Sequence, residues 1–165
     1  MKHLLRFLIV LIGCINLIGC NTKEDKVNVP VESLESYIVV ADTIITDVVI
    51  KNPGDDEWTD FCLRTLDKKV LIDNLFKAVY SGKLVPYEFF SDTVITIQDV
   101  KAIEDDPEFS REKIAKVQFE EKWYYNEESN SMIKKVHSIM LAYEIYYSTG
   151  EFKGYKPAFK VYLNN

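Results

Sequence analysis

Cys20 closes the run Leu17-Ile18-Gly19-Cys20, at the end of an apolar stretch that follows Lys2 and Arg6. Its thiol is a group that can carry acyl chains, and the residues around it are those of a bacterial lipoprotein signal. The basic start faces the cytoplasm, residues 7–18 are too short to cross a bilayer comfortably, and small Gly19 lets a peptidase reach the backbone. Each methylene of an acyl chain buried in lipid contributes about 0.8 kcal/mol, so a multiply acylated Cys20 anchors stably. Leu11-Ile12-Gly13-Cys14 has the same local form, but cleavage there would leave apolar residues 15–18 at the mature start. Cys20 is followed at once by Asn-Thr-Lys-Glu-Asp-Lys, and lipidation is therefore assigned to Cys20. An ordinary secretory signal and an uncleaved anchor are the alternatives.

The other reactive side chains are sparse. His137 is the single histidine left after cleavage, too few for a serine or cysteine mechanism or for a zinc site with Cys62. Cys62, between Phe61 and Leu63, is expected to be a small buried hydrophobe. With Cys20 acylated no internal disulfide can form. Glu121 with Glu144 is the pair that would serve a glycosidase-like acid and base, although Glu120 and Glu144 on half-buried strands are expected to face solvent. Asp55, Asp56, Glu57 and Asp60 lack the calcium-loop spacing and read as a solvated loop after the Asn52-Pro53-Gly54 turn. Gly150 and Gly154 lie between strands rather than before a helix, so they form no phosphate loop.

These residues are positioned by a chain that changes period along its length. Residues 36–50 are dense in Ile and Val and favour extended structure, with Asp42 and Asp47 marking bends or edges. Leu71, Ile72, Leu75, Phe76 and Val79 form one stripe of a helix over 67–82, capped by Asp67 and stopped by Gly82. Lys68 and Lys69 in its first turn oppose the helix dipole. A shorter helix follows from Ile97 to about Asp105, with Thr96 as its cap. Val117, Phe119, Trp123 and Tyr125 then alternate with polar residues, and Glu121 falls on their apolar side. Residues 126–130 connect to a long strand over 132–147 that is apolar on both faces near Ile139-Met140-Leu141-Ala142. A turn-rich stretch over 148–154 precedes a third strand over 158–163. The expected fold is α+β: an antiparallel β-meander of three or more strands, one main packed helix on one face and a short second helix.

Removing residues 1–19 leaves 146 residues, enough for one domain with a real core. Residues 20–36 have few large apolar groups and read as a flexible tether, and 37–165 as a single domain. The mature chain carries 18 Lys and Arg against 26 Asp and Glu, a balance that argues against nucleic acid. The charge is uneven, with net −11 over 20–130 and +3 over 131–165, which suits a solvated acidic face or a docking dipole. Lys23-Glu24-Asp25 just after the acylated position resembles the lipoprotein export signal of the Bacteroidetes, leaving surface display and periplasmic retention both open.

EKWYYNEESNSM (121–132) and GEFKGYKPAFKVYLN (150–164) together resemble the C-terminal region of the GldN (PorN) family of gliding-motility and type IX secretion proteins. The positions that carry the likeness are Trp123, Tyr124, Met132, Gly150, Gly154, Tyr155, Pro157, Phe159 and Tyr162. Upstream, LIDNLFKAVYSGKLVPYE (71–88) is similar to that family's helix and the turn after it, with Gly82, Leu84 and Tyr87 in place. The resemblance covers about residues 65–164. Two features depart from the family: Lys160 stands where it has a second aromatic, and a short chain with its own lipobox makes this a shortened lipoprotein variant.

The resemblance implies a non-enzymatic structural or adaptor subunit at the outer membrane, anchored by its N-terminal lipid. It also implies a protein partner in the envelope of the GldK/PorK lipoprotein type, with no cofactor and no metal. Trp123, Tyr124, Tyr155, Phe159 and Tyr162 are the candidate partner-binding residues, since Tyr and Trp anchor interfaces. Cross-strand pairing and core packing are the competing role for the same rings. A surface lipoprotein that uses them to bind an extracellular ligand such as a glycan is the alternative.

Overall fold

The computed structural model describes residues 34–54 and 56–163. The signal segment 1–19, Cys20 and most of the tether lie outside the described residues. Five antiparallel strands form one sheet in the order β1-β3-β4-β5-β2: β1 Ile38–Val49, β2 Pro86–Tyr87, β3 Ile114–Asn126, β4 Ser131–Tyr146 and β5 Phe152–Tyr162. The helices are α1 Glu57–Leu63, α2 Lys68–Tyr80 and α3 Ile97–Glu104, with single 3-10 turns at Leu34–Ser36 and Arg111–Lys113. The fold is thus α+β, and β3, β4 and β5 are the meander.

α2 and α3 lie on one face of the sheet. Ile72, Leu75, Phe76 and Val79 of α2 and Val100 of α3 join Val117, Ile139, Leu141, Tyr143, Phe159 and Val161 in one core. Each such side chain removed from water contributes about 1.5–3 kcal/mol. The expected caps are present. Asp67 accepts from the Val70 N–H at 2.9 Å, and Gly82 sits at φ 72° beyond the last turn, where a Cβ would be strained. Thr96 and Asp99 exchange both hydrogen bonds of a capping box at the start of α3. Lys68 does more than oppose the dipole. Its ammonium donates to the carbonyls of Glu112 and Ile114, both at 2.8 Å, and ties the start of α2 to the start of β3.

Two expectations about elements are corrected. The acidic stretch after Asn52 is not a loop throughout, because Asp56 caps α1 by accepting from the Thr59 N–H at 2.9 Å. Glu57 and Asp60 then sit in the first turn, where negative charge favours a helix. The last strand begins at Phe152 rather than 158, and the turn narrows to 147–151, closed by the Tyr147 N–H on the Glu151 carbonyl at 2.9 Å. The extended segment expected over 36–50 is β1, which lies beside β3, and the two-residue β2 completes the sheet beside β5.

On β4 alternation buries both faces, as its composition suggested. Leu141 and Tyr143 face the helices, while Met140, Ala142 and Glu144 are buried on the opposite face. There the neighbours in register are Gln118 and Lys160 beside Met140, and Lys116 and Pro157 beside Ala142. On that face the Lys116 ammonium lies 5.5 Å from the Tyr155 ring centroid and the Lys160 ammonium 4.8 Å from that of Tyr162.

Candidate docking surface

The five aromatic residues expected to meet a partner do not share one surface. Trp123 lies on the helix-facing side of β3, with the Lys134 ammonium 4.1 Å from its ring centroid and its indole N–H donating to Glu121 Oε2 at 2.9 Å. Tyr124 alternates to the opposite face, between Val39 and Ile133 in register. Tyr155 and Tyr162 point to that same face from β5. Tyr162 meets the Tyr87 ring edge-on at 5.0 Å, and its hydroxyl donates to Asp92 at 2.8 Å and accepts from Lys160 at 2.9 Å. Phe159 is corrected outright. It is 1% exposed, packed edge-on against Phe76 with centroids 5.0 Å apart, and offers nothing to a partner. Its side of β5 is the helix-facing side, so the alternation that turns Tyr162 to the other face, half-buried, buries Phe159.

Glu121 and Glu144 do not form an acid and base pair. Glu121 shares the helix-facing side with Phe119 and Trp123, and Thr46 donates to it at 3.5 Å. Glu144 alternates with core residue Tyr143 and points to the other side of the sheet. The expectation that Glu144 faces solvent is also corrected. It is 3% exposed, paired with the Lys51 ammonium and accepting from the Tyr146 hydroxyl at 2.8 Å. That carboxylate holds Lys51 above the ordinary lysine value. Glu120 accepts from the Ser138 hydroxyl at 3.1 Å.

His137 is the extra residue of a bulge, where β4 advances two residues while β3 advances one, and its carbonyl accepts from the Leu163 N–H at 2.8 Å. Cys62 is exposed on α1 and not buried as its apolar neighbours suggested. Among the described residues no three or more His, Cys, Asp or Glu gather as a metal site, and no helix is long and apolar enough to cross a membrane.

An open cleft of about 400 Å³ lies between α3 and β5, with Glu88, Asp99, Asp106 and Lys156 in its walls. Its carboxylates are committed locally. Asp99 accepts from the Thr96 N–H, Asp106 from the Glu108 N–H and Glu88 from the Ser91 N–H, and these backbone hydrogen bonds lead the causes that hold each below its ordinary value. Lys156, beside the Tyr143 phenol and Asp106, is raised to about 12 and stays charged. These shifts favour the charged forms of the three carboxylates and of Lys156 that line the cleft.

The most exposed aromatic group on a helix is one the sequence did not single out. α1 buries none of its residues. Trp58 is 69% and Phe61 53% exposed, their rings stacked at 5.5 Å, with the Arg64 guanidinium 3.8 Å over Phe61. Leu66, between α1 and α2, and Val70 of α2 are exposed as well. The available signal was the Trp58-x-x-Phe61 spacing, which puts two rings on one side of a helical turn. A second group, exposed Tyr146 and Phe152 with half-buried Tyr155, lies at the β4–β5 end of the sheet with centroids 6.0 and 5.2 Å apart. In comparisons with known proteins, no family model matches the chain, and no curated protein matches it in sequence.

Proposed function

We propose that this chain is a non-enzymatic lipoprotein of the bacterial envelope, anchored through Cys20, whose domain docks on another protein as a structural adaptor. The observation that carries this reading is α1. A seven-residue helix gains little stability from its own hydrogen bonds, yet this one presents stacked Trp58 and Phe61 to solvent while only Thr59 and Leu63 are half-buried. Exposed contiguous apolar surface of this kind marks an interaction site, and Trp with a neighbouring Arg is the composition of an interface anchor. The lipobox supports the anchor, and the GldN-like segments support an adaptor in type IX secretion or gliding machinery with a GldK/PorK-like partner at the outer membrane.

The geometry supports protein docking over glycan binding. The Tyr146, Phe152 and Tyr155 rings are inclined to one another by 74° and 67°, so they make no flat shared platform for a sugar.

The test is extraction of the full chain in mild detergent. The native protein is expected to co-purify with a larger envelope complex, and a Trp58→Ser/Phe61→Ser variant to run alone while still in the membrane fraction. A Cys20→Ser variant is expected to leave the membrane fraction. If Cys20→Ser stays membrane-bound, the anchor is wrong. If the α1 variant keeps its complex, the docking surface is wrong.

A further inference from the structure

β1 ends the sheet, and among the described residues its outer edge pairs with no strand. The opposite end is closed by the two-residue β2. A long edge strand dense in Ile and Val is a template for further pairing unless something blunts it. Register shifts between Val39 and Ala41 and between Ala41 and Ile44 disrupt the first half of β1. From Ile44 to Val49 the register against β3 runs without interruption, from Glu121 to Lys116. Ile44, Thr46 and Val48 face the helices, and Ile45, Asp47 and Val49 face the other way. Ile45, 66% exposed, stands at the middle of the strand.

We propose that the Ile44–Val49 edge pairs antiparallel with the same edge of a second copy, about a two-fold axis through Thr46. A two-fold axis normal to the sheet keeps each face on its own side, so residues pair only with partners of the same facing. Centred on Thr46, Ile44 lies opposite Val48 of the second copy, and the two apolar layers become continuous. Thr46 lies opposite Thr46, a favoured cross-strand pair. Ile45 lies opposite Asp47, whose carboxylate is drawn inward by Lys116 and by Gln118 at 2.8 Å. The neighbouring registers are disfavoured by charge. Centring on Asp47 sets Asp47 against itself, and centring on Ile45 brings Asp47 against the bulge that carries Asp42. Charge therefore selects the Thr46 register, independently of whether Cys20 is acylated.

The experiment uses the full chain in its native membranes, with Thr46→Cys in a Cys62→Ser background, oxidised and resolved without reductant. The Cys62→Ser parent, which keeps Cys14 and Cys20, sets the background. A disulfide-linked dimer at least tenfold above that background is expected. Adding Ile45→Asp, which places like charges opposite each other twice, is expected to lower its yield about tenfold. Ile45→Lys sets the introduced lysine against Asp47 and is expected to keep or raise the yield. Because Ile45 is exposed, both variants retain the circular dichroism of the native chain. No dimer above background overturns the proposal, as does linkage to a different protein. Equal loss in the aspartate and lysine variants also overturns it, since that places Ile45 itself on the axis.

Discussion

Glu121 and Trp123, two residues apart on β3, share the helix-facing side of the sheet, and the indole N–H donates to the buried carboxylate at 2.9 Å. The one acidic residue that breaks the apolar alternation of β3 is thus the acceptor for the largest ring on it. Lys134, 4.0 Å from the carboxylate and stacked over the ring, completes the group.

Trp123→Phe keeps the ring but removes the donor, and a hydrogen bond to a charged group is worth about 1.5–3 kcal/mol. Trp123→Phe and Glu121→Gln are each expected to destabilise by about 1–2 kcal/mol in urea unfolding. The double variant should cost about 1 kcal/mol less than the sum of the two, as residues in contact do. Additive effects would show that the two side chains do not act together.

Phe76 and Phe159 bring α2 and β5 together in the core, 0% and 1% exposed. Replacing either with Ala is expected to cost about 3–5 kcal/mol, read as a lower urea midpoint with unchanged slope. Tyr155→Ala, at a half-buried position on the face away from the helices, should cost far less. A comparable loss there would place Tyr155 in the core.

Lys51→Ala leaves the Glu144 carboxylate buried beside only the Tyr146 hydroxyl. Loss of one partner of a buried ion pair costs about 3–5 kcal/mol, and the half-exposed position of Lys51 reduces this to about 2 kcal/mol. Glu144→Gln keeps an acceptor for Tyr146 and is expected to cost less than Lys51→Ala. Thermal melts of the two variants at neutral pH give the order directly.

Tyr80 donates its hydroxyl to Glu104, and burial first, then that carboxylate, pushes its phenol up to about 12. In the unfolded chain it ionises near 10.0. The folded value is the higher one, so its contribution is complete below pH 10 and is lost as pH rises from 10 to 12. Tyr146 and Tyr162 are also raised, and phenolate absorbance should show one fewer late-titrating tyrosine in Tyr80→Phe than in the native chain. That variant should lose less stability than the native chain over the same alkaline interval.

Cys62 is exposed on a helix with no buried residue. A water-soluble maleimide is expected to modify it in the folded protein at nearly the rate seen in urea. Slow modification that speeds up only on unfolding would place the thiol in a packed environment.

What was legible in the sequence is what depends on local period and caps. The stripe from Leu71 to Val79, the Asp67 and Thr96 caps, the Gly82 stop and the alternation of β3 with Glu121 on the apolar side all stand in the structure. Less legible was anything decided by a distant strand. Glu144 looks like an ordinary strand carboxylate until Lys51, 93 residues away, is brought beside it. The pairing of β1 with β3 skips β2, and the bulge at His137 resets which face each residue of β4 occupies. Phe159 and Tyr162 look alike as aromatic strand residues, and only the placement of α2 over one face separates core from surface. Cys62 lies between apolar Phe61 and Leu63, and the short α1 carries no periodic stripe to show that its thiol side is exposed while only Thr59 and Leu63 turn partly inward.

The chain enters the sheet at the turn joining β3 to β4, where the Asn126 amide holds the Ser36 carbonyl at 3.1 Å and Tyr37 meets Ser131 at 2.9 Å. From there β1 runs the length of β3 to Val49. Traction on the N-terminal side, with the helical layer held, is therefore directed along the strand axis. The load falls on many ladder bonds together in shear, instead of peeling them one after another from an end. Pulled from Ser36 in that direction, the sheet resists extension best along the axis of β1.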